Sequence, residues 1–269
     1  MSEKFEQDQE QNPISDEKYK GNRTWQEAFE NEEIEKNVAE ILLEEDGKEK
    51  SKNREYINLE QLKFWNNMGY LIEESDGSDK YSIIVLGESH MDEDQWEKQM
   101  ELVKLVKPEY VLHEWLGGLI YNPEIGKFEG DDPGHKDYAS DLIKTNNPNI
   151  GSHGLPAKLY DLSKEFNFKI VGCDLTKNEM QRVEEVFKEE ETGIKKEGFY
   201  MPGTGKNIIR VRDMVMVDKI LEYQNKSDKP IIVIIGYEHG NNINSQHLLQ
   251  ERGSFGYIYI NQSHFKNKK

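Results

Sequence analysis

The chain has 269 residues and a single cysteine, Cys173, so it cannot form an internal disulfide framework. Cys173 lies in an apolar stretch, which predicts a small buried side chain rather than a reactive thiol. No segment has the ~20 apolar residues that a membrane-spanning helix needs. The amino-terminal residues also lack the apolar core of a secretory signal peptide. These absences predict a cytoplasmic protein without a membrane segment.

Positive charge is scarce as well. The chain has 35 lysines and arginines against 52 aspartates and glutamates, a formal net charge of −17. Charge of this sign repels the phosphates of nucleic acids and of anionic lipids. We therefore expect neither nucleic-acid binding nor association with a membrane surface. A small-molecule or peptide substrate is the expected partner, and the oligomeric state is left open.

The composition changes along the chain and predicts three parts. Residues 1–23 are acidic, rich in Gln and Glu and poor in apolar side chains, which predicts a disordered tail. Residues 24–75 carry apolar side chains at three- and four-residue steps, which predicts a helical extension with helices near 24–45 and 56–72. Residues 76–269 remain for one larger domain.

Short apolar runs and helical patterns alternate through this larger domain. The runs are apolar at successive positions, which is typical of parallel strands buried on both faces of a sheet. The sequence therefore predicts an α/β fold, a mostly parallel central sheet flanked by helices. Residues 116–150 are rich in Gly and Pro and predict a lid-like insertion. The predicted strands are 82–86, 110–113, 168–171, 231–235 and 255–260.

The strongest local signal is a motif that occurs twice. GESH at 87–90 follows one of the most apolar runs, and GYEH at 236–239 follows another. Each motif places a histidine at the same distance beyond the end of a predicted strand. Because ligands bind at the carboxyl ends of strands in open α/β sheets, we expect His90 and His239 to lie on one edge.

Carboxylates occupy the same kind of position. Two histidines with nearby carboxylates are a typical ligand set for a divalent transition metal, whose bound water becomes a nucleophile near neutral pH. Without a metal, a histidine held by a carboxylate acts as a general base on water. Both mechanisms stay open. The strand-end residues are Glu88, His90, Glu114, Asp174 and His239, and of these Glu88, His90, Glu114 and His239 are the predicted metal ligands.

Two further residues need an assignment. His113 alternates with Glu114 at the end of the second strand, so we expect it to be a hydrogen-bonded core histidine. Arg212 lies on the predicted helix 207–224, which leads into the fourth strand. It either reaches the same edge, to hold a carboxylate or an oxyanion, or pairs with Asp213 or Asp218 on a solvated helix face.

These residues together resemble a known superfamily. GESH at 87–90, Glu114, the pattern Arg212-Asp213-x-x-Met216 and GYEH at 236–239 are similar to the group that joins Tiki/TraB proteins, ChaN-like haem-binding proteins and erythromycin esterases. The resemblance spans about 82–239 and implies an erythromycin-esterase/ChaN-like fold. The site residues that it implies are Glu88, His90, Glu114, Arg212 and His239.

The chain departs from that group in three ways. Tiki/TraB proteins are usually membrane-associated, whereas this sequence has no membrane segment. The esterases have one more residue between Gly and His in the first motif, which argues against a macrolide lactone as the substrate. Val217 stands where the group often has Ala.

The resemblance implies two functions. The first is a hydrolase of an ester, lactone or amide, assisted by Mn, Co or Zn or by the histidines and glutamates alone, with Arg212 stabilising the oxyanion. The alternative is a non-catalytic protein that binds haem or another small ligand, for which Tyr121 and Tyr138 in the predicted lid are candidate axial ligands.

Overall fold

The computed structural model describes residues 54–63, 70–74, 80–90, 92–130, 148–151, 154–187, 205–253 and 256–265. The predicted acidic tail, the predicted helix near 24–45 and Tyr138 lie outside these ranges. The predicted division into tail, extension and α/β domain therefore remains a prediction. No helix of the described ranges is long and apolar enough to cross a lipid bilayer.

A mixed sheet forms the centre of the described residues. Its eight strands lie in the order β1-β8-β2-β7-β3-β6-β4-β5. The five central strands from β8 to β6 are parallel to one another, while β1 and the β4–β5 hairpin pair antiparallel at opposite edges. The strands are β1 Tyr70–Glu74, β2 Ile83–Glu88, β3 Tyr110–His113, β4 Ile120–Asn122, β5 Lys127–Glu129, β6 Lys169–Gly172, β7 Ile231–Gly236 and β8 Tyr257–Phe265.

Helices cover both faces of this sheet, which confirms the predicted α/β class. One face packs against α1 and α2, the other against α4, α5 and α6. Ile84 and Leu86 of β2 lie in the first core and Ile83 and Val85 in the second, so the strand is apolar at four successive positions. The helices are α1 Glu93–Val106, α2 Ala157–Phe166, α3 Lys177–Phe187, α4 Lys206–Lys226, α5 Tyr237–Ser245 and α6 Leu248–Glu251.

Three local predictions differ from the structure. The helix predicted near 56–72 is wrong at both ends, because Ile57 forms an antiparallel bridge with Tyr81 and β1 (Tyr70–Glu74) pairs with the edge of β8. Residues 120–129, predicted to be irregular, form the β4–β5 hairpin beside β6. The third difference is α5, which the sequence did not predict: it begins directly after β7 and carries His239 in its first turn. In the first two cases pairing with a neighbouring strand decides the conformation, and the local sequence does not reveal that neighbour.

The end of β6 lies directly beneath a short 3₁₀ turn, Glu114–Leu116, that follows β3. A Cβ atom on Gly172 would lie 1.9 Å from the carbonyl oxygen of Leu116. Only glycine allows this approach, because the obstructing atoms belong to the backbone. Gly172 therefore helps to fix the turn that carries Glu114.

We expect Gly172→Ala to lower the free energy of unfolding by about 3 kcal/mol, the upper end of the range for overpacked interiors. The matched control is Gly253→Ala, where φ is +85° and, apart from the chain neighbours, no heavy atom of the described residues lies within 4 Å of the added Cβ. In that variant the free energy of unfolding should fall by only about 1 kcal/mol, the cost of placing alanine in the left-handed conformation. Urea unfolding measures both, and equal losses in the two variants would contradict the steric explanation.

Candidate functional site

The predicted site residues meet at the carboxyl edge of the sheet, between β2 and β7. The chain leaves β2 for β3 through α1 on one face, and leaves β7 for β8 through α5 and α6 on the other. Neighbouring strands whose connections leave in opposite directions open a crevice at their carboxyl ends, where α/β proteins bind ligands. Glu88 and Gly236 pair in register, so both motifs border this crevice.

The first motif forms a carboxylate–histidine pair. The Nδ1 atom of His90 lies 3.2 Å from Oε1 of Glu88. The Glu88 side chain is buried, whereas that of His90 is 35% exposed. Burial lowers the pKa of His90, but the hydrogen bond to Glu88 and the charge of Glu114 outweigh it, so the pKa is raised above its ordinary value. His90 is therefore the accessible imidazole of the crevice.

The second motif forms another such pair with a residue of α4. The Nδ1 atom of His239 lies 2.5 Å from Oδ1 of Asp213, and the amide of Asn242 donates to the other oxygen of Asp213 at 3.1 Å. Both members of this pair are buried. Because an ionised carboxylate only accepts hydrogen bonds, Asp213 assigns the proton to Nδ1 of the histidine.

Glu114 lies between the two histidines. Its Oε2 is 3.6 Å from Nε2 of His90, and its Oε1 is 3.5 Å from Nε2 of His239. The backbone N–H of Gly236 donates to Oε2 at 2.6 Å. Burial raises the pKa of Glu114, but His239, Arg212 and His90 lower it further, to about 2. Glu114 is therefore an anion at neutral pH, held by groups from three other segments of the chain: the first motif, α4 and the second motif.

Arg212 reaches this edge and holds carboxylates. Its Nη2 donates to Glu114 at 2.7 Å and to Asp174 at 2.5 Å, and its Nε donates to Asp174 at 3.0 Å. Burial raises the pKa of Asp174 even beside the guanidinium. The alternative pairing on a solvated face is wrong, since Asp213 bonds to His239 and Asp218 pairs with Arg252.

The cluster has more carboxylates than cations. Four carboxylates, on Glu88, Glu114, Asp174 and Asp213, face one guanidinium and two imidazoles. Even with both imidazoles protonated, the negative charges remain in excess. Such a site attracts a cationic centre and repels an anionic ligand such as a phosphate.

The glycine of the second motif has a steric role here. A Cβ atom on Gly236 would lie 3.0 Å from Nε2 of His90 and 3.1 Å from Oε2 of Glu114. Both distances are shorter than ordinary contacts of a Cβ atom. The absent side chain therefore lets the imidazole of the first motif and the carboxylate of Glu114 approach the end of β7.

The structure brings together all five residues that the sequence selected: Glu88, His90, Glu114, Arg212 and His239. Asp174 joins them through Arg212. Sequence reasoning named Asp213 only beside Arg212 and missed its bond to His239. It did not name Gln99, whose amide donates to Glu88. Each interrupts the buried stripe of its helix, beside Met216 in α4 and Met100 in α1. A polar residue within a buried apolar stripe is the sequence signal by which both could have been found.

Two other expectations concern nearby aromatic residues. His113 is buried and accepts a hydrogen bond at Nδ1 from the backbone of Trp115, as expected of a core histidine. Burial lowers its pKa. Tyr121 is also buried, with its ring packed against Phe128 and Tyr160, and this packing argues against the predicted role as an axial ligand of haem.

The predicted metal ligands are close together but already bonded to other partners. Within the described ranges, no group of three or more His, Cys, Asp and Glu side chains is arranged to hold a metal ion. Metal binding by Glu88, His90, Glu114 and His239 stays a prediction. Cys173 is buried and its thiol has a raised pKa because of that burial, as expected of an unreactive cysteine.

We expect Glu114→Gln to lower the free energy of unfolding at pH 7 by roughly 3 kcal/mol, because the folded-state pKa lies near 2 and the ordinary value is 4.5. Because its pKa is depressed, the ionised Glu114 carboxylate stabilises the fold above pH 4.5. This stabilisation is lost as the pH falls toward 2. The difference between the variant and the wild type should therefore shrink over that interval in urea unfolding. A difference that is independent of pH would contradict the electrostatic origin.

Comparisons with known proteins add little to this geometry. No family model matches the sequence, and no curated protein matches it. One similar solved structure is described as cofacial heme binding to ChaN of Campylobacter jejuni, with 14% sequence identity and a TM-score of 0.33. The match covers 71% of this chain and 90% of that chain. At this TM-score the similarity supports no inference about ligand or activity, and the α/β class rests on the strand order and pairing described above.

Proposed function

We propose that the crevice binds a small ligand through the Nε2 atom of His90, and that haem iron is the group that fits its donor chemistry. One observation carries the proposal: Glu88 holds Nδ1 of an imidazole that is 35% exposed. In the neutral form, an imidazole held in this way presents the lone pair of Nε2, which is the atom that ligates iron.

The net negative charge of the cluster favours the binding of a cationic centre. The excess of carboxylates over cations favours ferric iron near His90 and disfavours a phosphate. The ring of Trp115 lies 5.1 Å from the imidazole, so an aromatic surface adjoins the candidate ligand atom. Bound haem would supply an iron centre whose properties depend on its axial donor and on the hydrogen bond behind that donor.

The other residues of the cluster support this role indirectly. Glu88 fixes the tautomer and orientation of His90. Arg212 holds Glu114 and neutralises part of the buried negative charge. Glu114 lies 3.6 Å from Nε2 of His90 and 3.5 Å from Nε2 of His239, so its charge acts on both imidazoles. Each residue therefore preorganises the accessible imidazole rather than contacting the ligand itself.

Titration with haemin, followed by the Soret absorbance, tests the proposal. We expect a saturable spectral change in the wild type and its loss in His90→Ala. The control is His247→Asn, an exposed histidine with a φ of 53°, a conformation that asparagine tolerates. Because ligation needs the neutral imidazole and the pKa of His90 is raised, affinity should fall as the pH drops through a value above 6.5. Equal binding by His90→Ala would overturn the proposal.

Hydrolysis of an ester, lactone or amide is the second candidate. It is favoured by the two carboxylate–histidine pairs, whose Nε2 atoms both face Glu114. In this function His90 takes a proton from water at Nε2, and Glu88 stabilises the resulting imidazolium. The substrate would be neutral or cationic, given the charge of the cluster. It ranks second because Arg212 already binds Asp174 and Glu114, which weakens its role as an oxyanion partner.

A panel of p-nitrophenyl esters, lactones and peptides, assayed with and without added Mn, Co and Zn, tests hydrolysis. We expect His90→Ala and His239→Ala each to abolish turnover while the protein stays folded. Asp213→Asn should reduce it by roughly 10²–10⁴, the range for losing a correctly oriented acid–base group. Full turnover by either histidine variant would exclude the mechanism.

A further inference from the structure

We infer that two glutamines of α1, Gln95 and Gln99, are positioning residues for His90. They lie one helical turn apart, so their side chains point to the same side of the helix. Gln99 contacts the side chain of Glu88, and Gln95 contacts the backbone of Ser89. The helix thus holds the two residues that immediately precede His90.

The amide of Gln99 has a fixed orientation. It is fully buried, and its Nε2 donates to Oε2 of Glu88 at 2.5 Å and to Oε1 of Gln262 at 3.0 Å. The opposite orientation would place an amide oxygen against the carboxylate of Glu88, which is unfavourable because both are acceptors. Glu88 is therefore held at one oxygen by Gln99, while its other oxygen holds Nδ1 of His90.

Gln95 restrains the loop by a second route. Its Oε1 accepts a hydrogen bond from the backbone N–H of Ser89 at 2.9 Å, and its Nε2 donates to Asp92 at 2.8 Å. Asp92 in turn caps α1 by accepting from the backbone of Asp94 and Gln95. The segment from β2 to α1 is thereby tied to the helix on both sides of His90.

Packing alone does not explain this arrangement. Within the described ranges, Oε1 of Gln99 and Nε2 of Gln262 are buried without a hydrogen-bond partner. Buried unsatisfied polar atoms destabilise a fold, and apolar residues of similar shape would avoid that cost. The presence of Gln99 and Gln262 at these positions is better explained by a requirement to orient Glu88.

The inference rests on the proposed function, since both candidate functions need His90 held at Nδ1, but its test needs no ligand. In ¹⁵N-histidine-labelled protein, long-range ¹H–¹⁵N correlation reports the tautomer of His90, with His90→Ala used for assignment. We expect neutral His90 to carry its proton on Nδ1 in the wild type. Gln99→Met removes the donor behind Glu88, so a mixture with the Nε2–H tautomer should appear.

The matched control is Gln224→Met. Gln224 is equally buried and its amide donates to Oγ of Ser82 at 2.6 Å, at the opposite end of β2. This variant loses a comparable buried amide but should leave the His90 signals unchanged. Altered His90 signals in Gln224→Met, or an unaltered tautomer in folded Gln99→Met, would overturn the inference.

Gln95→Met provides an independent test of the positioning role if Gln99→Met does not fold. Losing the hydrogen bond to the backbone of Ser89 should raise the exchange rate of that amide about fivefold, the ratio expected for one ordinary hydrogen bond. Unchanged exchange would contradict the role of Gln95. Failure of haemin binding and of hydrolysis in the wild type, together with the expected tautomer change, would reject the proposed function and leave the positioning role intact.

Discussion

The rest of the site depends on the interactions that surround the ionised carboxylate of Glu114. It is buried, so its charge is tolerated only because partners from separate segments surround it. Arg212 comes from α4, the N–H of Gly236 from the end of β7, and His90 and His239 from the two motifs. One charge therefore joins the ends of three strands and a helix at the same point of the sheet edge.

Most residues of this site hold their neighbours in place, and one residue is accessible to a ligand. Asp213 and Asp174 are buried and fully engaged with His239 and Arg212, so they maintain the geometry. Of the two motif histidines, only His90 combines partial exposure with a carboxylate behind it. Both proposed functions, ligand binding and hydrolysis, would begin at this imidazole. They differ in whether Arg212, which already holds two carboxylates, is released to stabilise a developing negative charge.

The fold was predictable where burial on both faces leaves a sequence signature. Each of the five central parallel strands contains a short apolar run, and each was expected within two residues at its start. The outer strands β1, β4 and β5 were not expected, because their conformation depends on the neighbours with which they pair. The helix α5 was missed as well.

The sequence by itself determined that two Gly-x-x-His motifs and Glu114 lie at one edge, since strand ends converge in a parallel sheet. It left open whether Arg212 reaches that edge. Only the tertiary structure decided which carboxylate each histidine uses. Asp213 and Gln99 lie within the apolar stripes of α4 and α1, and their partners belong to other elements of the fold. A hydrogen bond between distant segments depends on how those segments pack, and spacing along one chain does not encode that relation.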